Sequence, residues 1–393
     1  MSVPSSCLAR SAVAIAAACC LPAATAASDA AAIRAIVDAA IHPVMARHQV
    51  PGMAVAVTVD GATHVYNYGL ASKEDKTPVT DATLFELGSV SKPMTATLAS
   101  YAVVLGKLSL DEHPGKYMPA LRGSAIDKAS VLHLGTYTAG GLPMQFPENL
   151  KDSEMSDWFR QWKPEAAPGV QRRYSNPSLG LFGHVAALSL DGDFTDLMEQ
   201  RIFAPLGMKG VHIRIPDSAR QHYAWGYDRA DKPVRKGPDV FSAQTYGVVA
   251  TAGGVMRFVQ ANMDPGKVAV PLGEALKGTQ HAYYAVGAMR QGLGWEQYRY
   301  PVALDDLVWG NSAEVSQRPN SVSSAAVADG AQGDILFNKT GATRGFSNYV
   351  AFVPARKIGV VLLANKGYPA QARVAAAHAI LAQLDRGAVR EKR

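Results

Sequence analysis

The sequence predicts an α+β fold, in which an antiparallel sheet is flanked by N- and C-terminal helices and carries an inserted, mainly helical lobe. Near the N-terminus, residues 53–59 and 62–68 are β-rich runs on either side of Asp60-Gly61, which is a strong hairpin signal. Near the C-terminus, residues 349–353 and 358–364 form a second pair of β-rich runs. Because hairpins must bury their apolar faces, we expect both ends of the chain to share one sheet.

Helical periodicity accompanies both hairpins. Apolar residues recur at helical spacing between residues 33 and 44, before the first hairpin. After the second hairpin, Pro369 opens another helical pattern that carries Val374, Ile380 and Leu384. We therefore predict one helix at each end of the chain, packed on the sheet.

The segment between the hairpins, residues 88–250, has helical patterns joined by long loops rich in Pro and Gly. We predict that residues 27–393 form a single two-lobed domain, with a sheet lobe at about 28–87 and 251–386 and the helical lobe at about 88–250. Residues 310–335, rich in Ser, Ala, Asn and Gly, are predicted to be a long surface loop. Clefts between lobes are favoured ligand sites, so we expect the chemistry there.

The first 26 residues have the pattern of a secretory signal peptide. Arg10 is their only charge, an apolar run follows over residues 11–22, and Ala24-Thr25-Ala26 matches a cleavage site. The apolar run is short for a membrane span. We expect residues 1–26 to be removed on export, although a buried N-terminal helix is an alternative interpretation of the same pattern.

All three cysteines, Cys7, Cys19 and Cys20, lie in this leader. A lipid attached at Cys19 is a weaker alternative, because Ala16 stands where a bulky aliphatic residue is expected. Cleavage of the leader would leave a mature chain without cysteine. Disulfides, thiolate nucleophiles and cysteine-based metal sites are then excluded together.

Composition excludes several further classes of protein. The chain has 393 residues, of which 48% are hydrophobic, and a net charge of only +6, so a disordered chain is excluded. The basic residues are spread along the sequence without a nucleic-acid-binding motif, and no run of eighteen apolar residues follows the leader. The ten histidines lack metal-ligand spacing. We expect no nucleic acid, no membrane span, no metal and no cofactor.

The first chemical motif is Ser89-Val90-Ser91-Lys92, which precedes an apolar helical pattern. A serine at a helix start lies beside free backbone N–H groups that suit a developing oxyanion. Lys92 lies one turn along the same face, and a lysine with a lowered pKa can accept the serine proton. A serine cap beside a solvated lysine would give the same pattern.

Two further motifs complete the set. Tyr174-Ser175-Asn176 offers a phenol that can act as base and then acid, and an amide that can contact a substrate carbonyl. In Lys339-Thr340-Gly341, the lysine supplies a cation and the threonine a hydroxyl for a substrate carboxylate. We predict that Gly341 lies on an edge strand and lets a substrate backbone approach. Taken singly, the first tripeptide could be a turn before a helix, and the second could be the end of a strand.

Each motif occurs once, in the order S-x-x-K, Y-x-N, K-T-G. S-x-x-K and K-T-G are shared by penicillin-binding proteins and serine β-lactamases. With these motifs, the chain resembles the class C β-lactamases, the serine cephalosporinases, over nearly its whole mature length. The resemblance extends over residues 133–143, 145, 223–227, 292–296, 349–352 and 364–366.

The resemblance implies a β-lactamase/transpeptidase-like fold and a periplasmic, metal-free enzyme that hydrolyses cephalosporins and penicillins. Ser89 would attack the lactam carbonyl and form the acyl-enzyme. Lys92 and Tyr174 would share the proton transfers, with Tyr174 activating the deacylating water. Lys339 would tune Tyr174. We expect a monomer whose partner is the small-molecule β-lactam.

The resemblance also implies binding roles. Gln145 and Asn176 would contact the side-chain amide of the substrate, and Tyr246, on a long Ω-like loop, would flank that side chain. Backbone N–H groups of Ser89 and Ala342 would form the oxyanion hole.

Three positions depart from the family pattern. Asn338 precedes K-T-G, and Gly367 and Ala370 stand where asparagines are common, although Arg373 is kept. The asparagines are associated with the carboxylate side of the substrate cleft. The departures therefore affect the expected substrate profile and leave the reaction class unchanged.

Other functions stay open on the sequence alone. A D-alanyl-D-alanine peptidase or a family VIII-type esterase would share S-x-x-K and a tyrosine, and a non-catalytic β-lactam sensor could keep the fold. The long matches around Gln145, Trp225 and Trp295 favour the lactamase. The intact Tyr174 argues against the sensor.

Overall fold

The computed structural model describes residues 21–325 and 334–391. The α-helices are α1 (Leu21–His48), α2 (Ser91–Val104), α3 (Val131–Gly135), α4 (Met155–Gln161), α5 (Asn176–Ser189), α6 (Phe194–Leu197), α7 (Ser242–Thr245), α8 (Ala252–Met263), α9 (Leu272–Thr279), α10 (Leu304–Gly310), α11 (Ala313–Gln317) and α12 (Ala370–Glu391). The strands are β1 (Gly52–Val59), β2 (Ala62–Ser72), β3 (Thr77–Pro78), β4 (Phe85–Glu86), β5 (Gln171–Arg172), β6 (Val211–His212), β7 (Gly226–Tyr227), β8 (Pro233–Val234), β9 (Val249–Ala250), β10 (Tyr284–Val286), β11 (Met289–Gln291), β12 (Glu296–Tyr300), β13 (Asn320–Ser321), β14 (Ser323–Ser324), β15 (Asp334–Ala342), β16 (Ser347–Val353) and β17 (Ile358–Ala364).

One antiparallel sheet joins the two ends of the chain. Its ten strands lie in the order β14-β10-β11-β12-β15-β16-β17-β1-β2-β3. The N-terminal strand β1 pairs with the C-terminal strand β17, with Met53 opposite Ala364 and Val59 opposite Ile358. The predicted α+β fold with a shared sheet is therefore confirmed.

Both predicted hairpins are present. β1 and β2 are joined by Asp60 and Gly61, whose φ angles are 49° and 90°. Two successive positive φ values match the right-handed twist of the flanking strands, and Gly tolerates them without a steric cost. β16 and β17 are joined through Lys357, which also has a positive φ of 53°.

The sheet separates two apolar cores because alternate side chains of a strand point to opposite faces. Met53, Val55 and Val57 pack with residues of the terminal helices α1 and α12. Ala54 and Ala56 pack on the other side, with residues of α8 and the inserted lobe. A third cluster fills the inserted lobe around α2 and α5. The active-site candidates lie where that lobe meets β15.

Two local predictions need correction. Residues 310–335 are not simply a loop: α11, β13 and β14 lie within this range, and residues 326–333 lie outside the described part of the chain. β15 as a whole is not an edge strand, since β12 and β16 flank it, although residues 339–342, which include Gly341, pair only with β16. Composition alone missed these elements because strands of two residues have almost no sequence signal.

The predicted leader is only partly covered. Residues 1–20 lie outside the described residues, and residues 21–26 belong to α1. Within the described chain, no helix is both long enough and apolar enough to cross a membrane.

Candidate active site

Ser89 and Lys92 meet at the start of α2. Ser89 lies in a single 3₁₀ turn, Gly88–Val90, that leads directly into α2. The Lys92 Nζ atom donates a hydrogen bond to the Ser89 Oγ atom at 2.7 Å and to the Thr245 carbonyl oxygen at 3.0 Å. The predicted contact between the serine and the lysine of S-x-x-K is present.

The environment of Lys92 disfavours its charged form. The side chain is fully buried, and no carboxylate of a described residue lies within 4.0 Å of Nζ. Burial lowers the pKa of the Lys92 ammonium; Tyr174 opposes this shift and the Lys339 charge adds to it. Burial therefore destabilises the ammonium relative to the neutral amine, which is the form that can accept the serine proton.

Tyr174 lies between two lysines. Its ring centroid is 5.1 Å from the Lys92 Nζ atom and 4.8 Å from the Lys339 Nζ atom. Its hydroxyl is buried and makes no hydrogen bond of regular geometry with a described residue, although the neighbouring Ser89 hydroxyl helps to lower the pKa of the phenol. Burial acts to raise the pKa of the phenol, but the charges of Lys339 and Lys92 outweigh it, so this pKa is lowered.

Lys339 is held by a buried ion cluster that the sequence analysis did not identify. The Glu296 Oε1 atom lies 3.1 Å from the Lys339 Nζ atom and 3.2 Å from the Arg172 Nη2 atom. The Arg172 Nε atom also donates to the Gln291 Oε1 atom at 2.8 Å. All three charged side chains are at most 6% exposed. Lys339 thus keeps a counter-charge that Lys92 lacks.

The sequence contains an indication of this buried ion cluster. Glu296 ends the apolar run Gly292-Leu293-Gly294-Trp295, and a carboxylate in such a run needs a cationic partner. Which cation it would take is decided only by the pairing of β12 with β15, where Glu296 lies opposite Asn338.

The end of β15 packs against the turn that carries Ser89. Residues beyond Asn338 pair only with β16, so this end of an interior strand is locally an edge. A Cβ on Gly341 would lie 2.1 Å from the Leu87 carbonyl oxygen, and a Cβ on Gly88 would lie 2.5 Å from the Ala342 nitrogen. A side chain at Gly341 would thus meet the protein's own backbone, and the predicted approach of a substrate backbone to this edge stays a prediction.

On the opposite side of the cleft, Asn176 and Gln145 lie together. The Asn176 Nδ2 atom donates to the Gln145 Oε1 atom at 2.8 Å. α5 begins at Asn176, two residues after Tyr174. Ser175 caps this helix, because its Oγ atom accepts a hydrogen bond from the Ser178 N–H. The motif is thus a helix start, and it places the phenol and the amide side by side.

Tyr246 and Thr340 complete two further walls. The half-buried Tyr246 ends α7, and its hydroxyl donates to the Asp239 Oδ2 atom at 2.7 Å. Thr340 is half-buried beside Lys339 on β15.

Arg373 lies on α12 and is 6% exposed. Its Nη1 atom donates to the Tyr368 carbonyl oxygen at 3.5 Å, and its Nε atom has no partner among the described residues. Gly367 and Ala370 lie in the same wall. Asn338, by contrast, points into the interior, where its Oδ1 atom accepts from Asn311 and its Nδ2 atom donates to the Glu296 carbonyl.

A cavity of about 1360 Å³ joins these groups. Every predicted site residue lines it except Lys92, which lies beneath Ser89. Lining residues absent from the sequence prediction include Arg172, Glu296, Arg235 and Lys236. The described residues contain no group of three or more His, Cys, Asp or Glu side chains that could hold a metal ion.

The geometry agrees with the comparison to known proteins. The profile of the family described as "Beta-lactamase" matches residues 37–385. The chain belongs to the β-lactamase family. A β-lactamase of Pseudomonas fluorescens is 49% identical over 354 residues, which cover 90% of this chain and 99% of the relative.

Solved structures place the chain within the family. A class C β-lactamase in complex with cefoxitin has 41% identity and a TM-score of 0.86, covering 90% of this chain and 99% of the other. A "Beta-Lactamase/D-Alanine Carboxypeptidase" of Pseudomonas syringae has 42% identity and a TM-score of 0.86, covering 89% and 99%. The resemblance to class C serine β-lactamases and the predicted β-lactamase/transpeptidase-like fold are confirmed.

Proposed function

We propose that this class C β-lactamase hydrolyses cephalosporins and penicillins through an acyl-enzyme on Ser89. The observation that carries the proposal is the contact of the Ser89 Oγ atom with a buried lysine that has no carboxylate partner among the described residues. A serine hydroxyl is a weak nucleophile until a neighbouring base takes its proton.

In acylation, the Ser89 Oγ atom bonds to the lactam carbonyl carbon, and its proton passes to the neutral Lys92 amine. The lactam C–N bond then breaks, and the ring nitrogen takes a proton that Lys92 and Tyr174 deliver between them. The Lys339 charge lowers the pKa of both groups, which favours a state in which one of them can accept the first proton. The product is an ester between Ser89 and the opened ring.

In deacylation, a water oxygen attacks the ester carbonyl and its proton passes to the Tyr174 phenolate. The Ser89 Oγ atom leaves and takes a proton back. The Tyr174 hydroxyl suits this role because it is buried beside Ser89 and its pKa is lowered by the charges around it. Lys339, anchored by Glu296, supplies the fixed positive charge that stabilises the phenolate.

The backbone N–H groups of Ser89 and Ala342 are proposed to bind the carbonyl oxyanion, since the two glycines bring these backbones close together. Asn176 and Gln145 would bind the side-chain amide, with Tyr246 across the cavity. Thr340, Gly341 and Arg373 line the cavity toward the ring carboxylate.

A D-alanine carboxypeptidase is the second candidate. Its specific support is the name of the Pseudomonas syringae relative, because that name mentions both activities. A peptide carbonyl could enter the same acylation steps. Turnover of the acyl-enzyme distinguishes the two, because a peptidase would retain a stable penicilloyl adduct.

We also propose that the enzyme is exported to the periplasm and acts as a monomer. The leader pattern over residues 1–26 supports export.

The Ser89→Ala variant tests the nucleophile. We expect rapid hydrolysis of a chromogenic cephalosporin by the wild-type protein and loss of turnover in the variant, with an unchanged thermal unfolding curve. Intact mass spectrometry with a slow β-lactam should give an adduct on wild-type protein only. Hydrolysis by a folded Ser89→Ala protein would refute the assignment, and fast ester cleavage without lactam turnover would indicate an esterase.

A further inference from the structure

The cavity carries more positive charge than the reaction uses. Its lining cations are Arg172, Arg229, Arg235, Lys236, Lys339, Arg344 and Arg373, and its lining carboxylates are Asp228, Asp239 and Glu296. Each carboxylate already has a partner. Glu296 binds Arg172 and Lys339, whereas Asp228 lies 3.4 Å from Arg344. The Asp239 Oδ2 atom accepts a hydrogen bond from the Tyr246 hydroxyl.

Arg229, Arg235 and Lys236, which we call the loop cations, are different. They lie on the Ω-like loop between β7 and α7, and no carboxylate of a described residue lies within 4.0 Å of their charged nitrogens. The proposed reaction gives them no role.

Arg235 is held rigidly. Its guanidinium carbon lies 4.1 Å from the ring centroid of Tyr223 and 4.1 Å from that of Trp225. Its Nε atom donates to the Ala224 carbonyl at 3.1 Å, and its Nη2 atom donates to the Tyr223 carbonyl. Stacking between two rings fixes the cation without neutralising it, since aromatic faces carry no net charge.

Lys236 is half-buried and lines the same cavity as the nucleophile. Its backbone N–H donates to the Glu86 Oε1 atom at 2.8 Å, and Glu86 lies on β4, three residues before Ser89. Burial lowers the pKa of the Lys236 ammonium, and Glu86 only partly opposes this shift. A partly dehydrated cation beyond salt-bridge distance of its nearest carboxylate is stabilised when an anion binds.

The direction of the loop cations from the reacting centre indicates what they would meet. Under the proposed function, the ring carboxylate lies toward Thr340 and Arg373, and the acyl side chain lies between Asn176 and Tyr246. The loop cations precede Tyr246 on the same loop and line the same cavity. Since Tyr246 flanks the acyl side chain under the proposed function, an anion on that side chain is the substrate group that this loop would meet.

We propose that Lys236 and Arg235 form a second anion subsite, and that the enzyme favours β-lactams with a carboxylate on the acyl side chain. The inference rests on the proposed function and adds a substrate class to it. The side-chain carboxylate would bind Lys236 and the Nη1 atom of Arg235, since the Nε and Nη2 atoms already donate to backbone carbonyls. Charge-assisted hydrogen bonds of this kind are short and strong in a partly dehydrated site.

Benzylpenicillin and carbenicillin test the subsite, because they differ only by a carboxylate on the side-chain α carbon. Carbenicillin carries one negative charge more than benzylpenicillin, so general attraction to the positive cavity also favours it, and a control lysine outside the cavity has to measure that contribution. We expect Lys236→Gln to lower kcat/KM for carbenicillin about tenfold, as the loss of one charged hydrogen bond predicts. The loss for benzylpenicillin should be several-fold smaller.

Lys232→Gln is the matched control, since Lys232 is an exposed lysine on the same loop that does not line the cavity. It should leave the ratio of the two kcat/KM values unchanged. Added salt should reduce the wild-type preference, because exposed ends of the subsite are screened. An Arg235→Gln protein with normal thermal unfolding should show the same selective loss.

The outcomes distinguish the anion subsite from the proposed β-lactam hydrolysis on which it rests. Equal losses for both penicillins in Lys236→Gln, or the same selective loss in Lys232→Gln, would overturn the subsite while β-lactam hydrolysis stands. A wild-type protein that is neither acylated by nor active on either penicillin overturns the proposed function, and the subsite with it.

Discussion

Two lysines flank the same phenol, and their surroundings are opposite. Lys92 is buried at the start of α2 and bonds only to neutral oxygens, those of Ser89 and Thr245. Lys339 is buried on β15 and bonds to the Glu296 carboxylate. Both Nζ atoms lie about equally far from the Tyr174 ring, at 5.1 and 4.8 Å. Distance to the phenol therefore does not distinguish their roles.

The difference lies in the counter-charge. A buried lysine without a carboxylate has a lowered pKa and can carry a proton to and from a substrate. Lys339 is instead paired with the Glu296 carboxylate, and its charge lowers the pKa of the phenol. One residue type thus provides a proton carrier on the helix side of the cleft and a carboxylate-paired cation on the sheet side.

The largest expected effect comes from removing the proton carrier. Lys92→Met should lower kcat for a cephalosporin by about 10³-fold, within the range for a general base. Stopped-flow kinetics with a chromogenic cephalosporin would measure it, and acylation should become the slow step. A loss of less than about tenfold in a folded variant would contradict the assignment of Lys92 and leave Tyr174 as the base for acylation.

The next effect concerns the support of Lys339. Glu296→Gln leaves Arg172 and Lys339 buried without their carboxylate, so the free energy of unfolding should fall by about 3 kcal/mol. Denaturant unfolding followed by fluorescence would measure it. Glu274→Gln, which removes the half-exposed partner of Lys277, should cost less than about 1 kcal/mol. Similar losses in the two variants would show that burial of the Glu296 cluster has no energetic consequence.

The smallest effect is a displacement of the pH profile. The Lys339 charge lowers the pKa of both Tyr174 and Lys92, and both accept protons only when deprotonated. Activity should therefore fall as the pH falls through these lowered pKa values. Lys339→Gln removes the charge, so both pKa values rise and the acidic limb of kcat/KM moves to higher pH. An unchanged or lower limb would show that Lys339 acts only by contact with the substrate.

The sequence predicted the hairpins and terminal helices well because their signals are local. The two residues Asp60-Gly61 are enough to predict a turn. The apolar periodicity of α1 can be recognised within the helix sequence alone, without knowledge of what the helix packs against. The short strands β13 and β14 were missed because each has two residues and depends on a neighbour, as Asn320 does on Arg172.

The site was predicted unevenly for a related reason. Ser89 and Lys92 are three residues apart on one turn, so their contact follows from helical geometry. Gly341 was predicted to allow a substrate approach, and the structure adds a second constraint, since the nearest atom to its Cβ position is the Leu87 carbonyl oxygen. A glycine can indicate that no side chain fits at its position, but its sequence context does not show which segment lies there.

The sequence by itself determined the three motifs, their order and the family to which they belong. Each motif carries its chemistry in the residue types and in short spacings. Only the tertiary structure decided that Glu296 binds Lys339 while Lys92 binds none of the described carboxylates. The roles of the two lysines depend on this pairing, because the free energy of a buried charge is set by partners that are distant in sequence.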